Sequence, residues 1–495
     1  MLWDAFLQLL DLWIVAAALI GITTGVIIGA IPGLGPTMAI ALLIPVTFAM
    51  QPVPAMILLL GVYQGAIFGG SISAVLLNVP GTPSSAATAM DGFPMARRGE
   101  GGRALRLALF ASVFGNIFSC LVLMALAEPL ARLALDFGPA EMAVLMLFAL
   151  LVIVLFGGGS RLDALIMVLV GVCAGIVGLD PISGTPRFTF NSFAMESGFQ
   201  LIPVLIGLFA MSEVFLQVFN RAPEVRADVM PELRSSHVSV AEMWRMRLTL
   251  LYSSMIGTFV GILPGIGSTV PAFMSYSLAR SRSKEPETFG KGAAEGIAAP
   301  EASNNAVTGG ALVPTLALGI PGDAVTAVIL GAFMLHGLAP GPFLFEKNGL
   351  EVYAIFEALL FSSIPTVILG LLLFRAAIHV TRIQPRHLLP AIAILALFGA
   401  FSVNNNLFDV WVMLGAGFFG FLFRRSGFPL PPLLIGLILG HPFEQSVRQA
   451  LLTSGGKFAI FADSPITLIL LVLIVMSITT SVFVYFRSKR SGRDG

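Results

Sequence analysis

The chain is short of charge. Only 11% of its 495 residues are Asp, Glu, Lys or Arg, against roughly 25% in a soluble domain. That shortage excludes an ordinary water-soluble globule. The formal net charge of +1 leaves no basic excess that would point to nucleic acid. Cysteine is scarce as well: Cys120 and Cys173 both lie inside apolar segments, where a thiol is a small core filler, so they say little about redox compartment. The five histidines offer no metal-ligand spacing: His237, His379 and His387 sit in basic loops, and His336 and His441 flank short apolar segments. There is no Gly-rich phosphate loop closed by Lys-Ser/Thr, no Gly-x-Ser-x-Gly elbow and no His-Glu-x-x-His. The chain is therefore not expected to be an ATPase or any other enzyme, and no metal or cofactor is called for.

What the sequence has is apolar length. Hydrophobic residues make up 57% of it and the mean hydropathy is +0.93. The expected fold is an all-α polytopic membrane protein with about 12 transmembrane helices plus half-helices or re-entrant hairpins, since a full crossing takes roughly 20 residues and several runs are shorter. Candidate spans lie near 10–31, 38–50, 54–78, 104–128, 140–156, 162–179, 199–219, 247–263, 268–280, 305–331, 352–375, 388–403, 407–423, 429–440 and 464–486. The start, Met1-Leu-Trp-Asp, lacks a basic region and runs into a full-length span, so no cleavable leader is expected. Lys and Arg gather at 97–106, 221–247, 280–291, 375–386, 424–425 and 487–490. The positive-inside rule puts those loops and the C-terminus in the cytoplasm and the N-terminus outside.

One element occurs twice. Gly29-Ala-Ile-Pro-Gly-Leu-Gly-Pro-Thr37 returns as Gly261-Ile-Leu-Pro-Gly-Ile-Gly-Ser-Thr269, with Pro32 and Pro264 offset by 232 residues. A second element pairs Leu77-Asn-Val-Pro-Gly-Thr-Pro83 with Leu318-Gly-Ile-Pro-Gly-Asp-Ala324, with Pro80 and Pro321 offset by 241. Gly69-Gly70 and Gly309-Gly310 align at 240. The growth in offset places a nine-residue insertion in the second copy, at the hydrophilic 281–291 stretch. The first element follows a helix entering from outside and the second a helix entering from inside, so the arrangement reads as an inverted-topology repeat. The expected divisions are a first repeat over 1–220, a polar cytoplasmic linker over 221–246, a second repeat over 247–463, and a last transmembrane helix with a basic tail over 464–495.

Irregular backbone inside hydrocarbon survives only against protein or a wet cavity, and matching breaks in two halves point to a transporter's binding site. A half-helix starting after each Pro-Gly-x-Gly aims unpaired N–H groups and the positive end of its dipole into the gap, which favours a carboxylate. Glycine lets the ligand approach the backbone. The candidate substrate-binding residues are therefore Gly33, Gly35, Thr37, Gly81, Thr82, Ser84, Gly265, Gly267, Ser268, Thr269, Gly322, Asn304 and Asn305. Glu301 and Asp323 are candidates for a coupling cation, because acids inside a membrane are usually functional. Helix capping would account equally for Asp323.

The long motifs at 29–37, 78–88, 91–105, 262–268, 298–306 and 318–322, followed by His336-Gly-Leu-Ala-Pro-Gly-Pro342, occur in one order. In this the chain resembles the large membrane subunit of the tripartite tricarboxylate transporter family over nearly its whole length. The resemblance implies a permease of the bacterial inner membrane. It implies work with a small membrane subunit and a periplasmic solute-binding protein, and secondary active import of carboxylates such as citrate, driven by Na+ or H+. Asp323 departs from it, standing where a small polar residue, usually Ser, is implied. The readings set against this one are a membrane-embedded enzyme and a passive channel for small organic anions.

Overall fold

The structure is a computed structural model that describes residues 2–157, 160–219, 238–380 and 388–491. In chain order its helices are α1 (Leu2–Gln8), α2 (Leu12–Gly29), α3 (Pro36–Thr47), α4 (Pro52–Leu77), α5 (Ser85–Arg97), α6 (Gly101–Ala134), α7 (Pro139–Phe156) and α8 (Arg161–Gly175). Then come α9 (Leu201–Leu205), a π-helical stretch over Ile206–Met211, α10 (Ser212–Phe219), α11 (Val240–Arg245), α12 (Arg247–Ile262), α13 (Thr269–Arg282) and α14 (Ala294–Leu318). The chain closes with α15 (Ala324–Leu335), α16 (Leu344–Phe361), α17 (Ser363–Val380), α18 (Leu389–Asn404), α19 (Leu407–Arg425), α20 (Leu430–Thr453) and α21 (Pro465–Ser491). Among the described residues the strands amount to a two-residue pair, Gly178–Leu179 against Pro186–Arg187. Seven helices among the described residues are long and apolar enough to cross a membrane, and five shorter apolar helices accompany them. The chain is an all-α polytopic membrane protein.

The centre is built from α4 and α14. Every residue in the most apolar stretch of α4 is buried, and α14 is buried from Gly296 to Ala317. Small residues let other helices close on them, as in membrane packing generally. Along α2, a Cβ added at Gly21, Gly25 or Gly29 would lie 2.3, 2.5 or 2.2 Å from the carbonyl oxygens of Leu58, Val62 and Ala66 of α4. Both residue numbers rise together, so α2 and α4 run parallel and α3 is the return between them. The second half repeats the construction, with Gly257 of α12 against the Ser303 carbonyl and Gly261 against that of Val307. These pairs are the first-half pairs moved by 232 on one helix and 241 on the other. The contact of Gly69 with the Val26 carbonyl likewise returns as Gly310 against that of Thr258. Contacts therefore match Gly69 with Gly310, one residue away from the alignment at 240 read in the sequence.

The insertion is where the hydrophilic stretch placed it: residues 48–51 join α3 to α4, whereas 283–293 join α13 to α14. The span read as 305–331 is instead two helices, α14 and α15, separated by Gly319–Asp323. Both central helices end alike. Asn78 (φ 57°) and Gly319 (φ 70°) take the left-handed conformation and donate their N–H to the carbonyls of Ser73 and Pro314. That cap turns the chain into a Pro-Gly segment, and no continuous helix could pass there. The sequence expectation of a linker over 221–246 lies mostly outside the described residues, which resume with Val238 and the short helix α11.

Candidate functional site

Each Pro-Gly-x-Gly loop leads into a half-helix. Gly35 is the N-cap of α3 in extended conformation (φ −81°), with Pro36 in the first turn and Thr37 after it. Ser268 is the N-cap of α13, and Thr269 opens that helix. Gly33 and Gly265 share a left-handed turn, at φ +89° and +80°, which fits glycine and strains other residues. The copies then diverge, because Gly267 is also left-handed at φ +70°. A Cβ added at Gly35 or at Gly267 would meet nothing within 4 Å, so the backbone there borders open space.

The second element of each half packs beneath the first. Gly81 sits against the carbonyl of Gly29, where a Cβ would lie 2.2 Å from the oxygen, and against Gly70. Gly322 sits against the carbonyl of Gly261 and against Ala311. The partners again match at 232 and 241. In the second half the two breaks are tied together by the Gly265 N–H, which donates to the Gly322 carbonyl at 2.7 Å. In the first half Thr82 and Ser84 are buried and their hydroxyls meet at 3.2 Å. No hydrogen bond joins loop 32–37 to loop 264–269 among the described residues.

The polar residues of α14 are fully inside the protein. Glu301 and Asn304 are 0% exposed and Asn305 1%. Glu301 Oε1 accepts the hydroxyls of Ser71 on α4 and Thr88 on α5, and Oε2 accepts Ser112 on α6 at 2.8 Å. Three helices of the first half thus converge on one acid of the second, with no basic side chain among the described residues bonded to it. Asn305 donates to the Asn304 side-chain oxygen at 2.7 Å and to the Glu301 carbonyl at 3.2 Å. The amide nitrogens of Asn304 and Gln64 are buried without a protein partner. Unpaired buried donors in a native interior are uncommon and call for an explanation.

Asp323 has a different setting. Its Oδ1 accepts the Thr326 N–H at 2.7 Å and its own N–H bonds the Thr326 hydroxyl at 2.9 Å, a capping box for α15. Its Oδ2 accepts the Tyr63 hydroxyl at 2.6 Å, a contact across 260 residues. The capping explanation open in the sequence therefore applies.

Several residues of this polar layer escaped the sequence reading: Tyr63, Gln64, Ser71, Thr88, Ser112 and Asn116. The offset of 241 held a signal for two of them, since it carries Tyr63-Gln64 onto Asn304-Asn305. Gln64 accepts the Ser362 hydroxyl at 2.5 Å, and Asn116 donates to Ser363 at 3.1 Å. These contacts also give helix directions. From the Glu301 level to that of Ser362 and Ser363, α4 runs backward from Ser71 to Gln64 while α6 runs forward from Ser112 to Asn116. Along α6 and α14 the numbers rise together, from Gly115 at Ala302 to Ser119 at Gly309. The matched helices α4 and α14 thus run in opposite directions.

Asp91 on α5 forms a second link between the halves. Its Oδ1 accepts the N–H groups of Gly290, Gly292 and Ala293 at 2.7–2.9 Å, and its Oδ2 accepts the Tyr276 hydroxyl at 2.8 Å. The inserted segment 283–293 is thereby held on the first half. Outside the membrane segments, Asp180 is held well below the usual carboxylate range by the Ser183 N–H, by Arg448 at 2.5 Å and by the Ile182 N–H. It ties the two-strand segment to α20. No group of three His, Cys, Asp or Glu that would hold a metal ion occurs among the described residues.

The tripartite tricarboxylate transporter TctA family matches residues 15–435 of the chain. A curated relative from Agrobacterium vitis, described as an uncharacterized 52.8 kDa protein in the TAR-I ttuC' 3'region, is 38% identical over 471 residues, covering 95% of this chain and 93% of its own length. A second, an uncharacterized protein in the TAR-II ttuC' 3'region of the same organism, is 38% identical over 234 residues, 47% of this chain and 97% of that protein. No solved structure matches the chain.

Proposed function

The chain belongs to the tripartite tricarboxylate transporter TctA family, and from that premise we propose that it is the permease subunit of a secondary active carboxylate importer. The observation that carries this reading is the pair of chain breaks built by the same contacts in both halves, each opening a half-helix toward space that the protein leaves free at Gly35 and Gly267. Two helix ends, with the hydroxyls of Thr37, Ser268 and Thr269, suit a ligand with more than one carboxylate. Thr82, Ser84, Gly81 and Gly322 support the loops, and Asn304 and Asn305 supply amides from α14.

The opposed directions of α4 and α14 support an inverted-topology repeat over 1–220 and 247–463; an N-terminus outside and a C-terminus in the cytoplasm is proposed from the basic loops alone. Such a repeat supplies two related conformations for alternating access. Glu301 is assigned to the coupling cation, Na+ or H+: it is a buried acid ringed by hydroxyl oxygens and has no basic partner among the described residues. Asp323 is the weaker candidate, because its oxygens are engaged in capping α15 and in the bond to Tyr63. A periplasmic binding protein would deliver the substrate, and a small membrane subunit would complete the complex.

The test is uptake of labelled citrate and a panel of dicarboxylates into proteoliposomes that hold the chain with both partners, with Na+ and H+ gradients imposed separately. Concentrative uptake under one gradient supports the reading and names substrate and ion. No uptake under either, with folded protein and a binding protein of known ligand, overturns it.

A further inference from the structure

A cleft of about 1000 Å³ opens between α12, α13 and the segment 283–293. Its rim carries Arg245, Arg282 and Lys284. None of the three is within salt-bridge distance of a carboxylate among the described residues, although Arg282 lies over the Tyr252 ring at 5.4 Å. Of the acids nearby, Glu242 is held by Arg103 at 2.7 Å, while Glu295, which accepts from Thr249 at 3.3 Å, and Glu285 keep their charge, so the cations outnumber the unpaired acids three to two. Below the rim the wall is apolar and open: Leu248, Leu251 and Met255 are 65%, 41% and 54% exposed. On a membrane helix, exposed apolar side chains face acyl chains. A cationic rim above an apolar wall complements a molecule with an anionic head and a hydrocarbon tail, and basic pockets beside transmembrane helices take acidic head groups.

We propose that this cleft is a binding site for an anionic phospholipid of the bilayer. The phosphate sits among Arg245, Arg282 and Lys284, and an acyl chain lies along Leu248, Leu251 and Met255. The lipid then braces α12 and α13, the two helices joined by the second Pro-Gly-x-Gly loop, so occupancy acts on the geometry of that loop. The proposal does not depend on what the permease carries.

Native mass spectrometry of the detergent-solubilised full chain, titrated with phosphatidylglycerol or phosphatidylcholine, tests it. The wild type is expected to bind phosphatidylglycerol at least tenfold more tightly. Each of Arg245→Ala, Arg282→Ala and Lys284→Ala is expected to weaken that binding about fivefold, and Arg425→Ala to leave it unchanged. Lys284→Glu, at an exposed position, repeats the test without cutting into helix packing. Equal affinity for the two lipids, or an unaltered preference in the variants, overturns the proposal. So does displacement of the lipid by millimolar inorganic phosphate, which would make this a site for free anions. Displacement by the small membrane subunit would make it a protein interface and overturn it as well.

Discussion

Replacing Gly35 by valine separates ligand space from folding. The residue caps α3 with φ −81° and ψ 167°, an extended conformation that a β-branched side chain adopts readily. A Cβ there meets nothing within 4 Å, so the side chain starts into open space. Valine is a poorer N-cap than glycine, so its effect on stability should be about 1 kcal/mol. Its effect on a carboxylate docked at the start of α3 is much larger. Two charge-assisted hydrogen bonds lost at about 1.5–3 kcal/mol each come to about 3–6 kcal/mol, or more than a hundredfold in substrate affinity. The control is Gly81→Ala, whose new carbon would sit 2.2 Å from the Gly29 carbonyl oxygen. Backbone cannot yield cheaply, and overpacking of about 1–3 kcal/mol should appear as lower thermal stability. The assay pairs proteoliposome uptake with a thermal melt in detergent. Wild-type uptake by Gly35→Val would refute the placement of substrate at this loop, and a melt lowered further than that of Gly81→Ala would refute the claim of open space.

Three other outcomes are expected. Glu301→Gln keeps the size of the side chain and removes its charge, so solute exchange should persist while gradient-driven accumulation falls at least tenfold; intact accumulation would exclude Glu301 from coupling. Tyr63→Phe removes the 2.6 Å bond to Asp323 and should cost about 1–3 kcal/mol, read as a lowered melting temperature, with Asp323→Asn showing a smaller further loss when combined with Tyr63→Phe than in the wild type. Asp180 has a lowered pKa, so the stability it contributes is fully present above the ordinary aspartate range and is lost as pH falls through the folded value; an Asp180→Asn variant should melt lower than wild type at pH 7, and the gap should narrow only in strong acid.

Helix positions were largely legible because apolar runs and Pro-Gly breaks are local signals. The span read over 305–331 joined two helices because its composition stays apolar across Ile320-Pro321-Gly322. The Gly319 cap that ends α14 is a matter of backbone conformation, and apolar content does not report it. The duplicated elements were legible as spacing, and their contacts kept the same offsets. The polar layer was not. Ser71, Thr88 and Ser112 are ordinary small residues in apolar helices until folding places all three on Glu301. Tyr63 meets Asp323 across 260 residues, and no local pattern announces such a pair.

The clasp on Asp91 has a consequence for the energy of the two orientations. Two identical halves exchanging roles would give states of equal free energy, and the resting population would be evenly divided. The second half owns the segment 283–293; in its counterpart at 48–51 the Phe48 and Met50 N–H groups already donate to the Pro45 and Thr47 carbonyls, so three free N–H groups like those that Asp91 receives are not on offer. Any exchange that separates α5 from this segment must give up those bonds, and the mirror exchange recovers none. If the proposed exchange separates α5 from this segment, the two orientations differ in free energy and the one that keeps the Asp91 bonds is favoured.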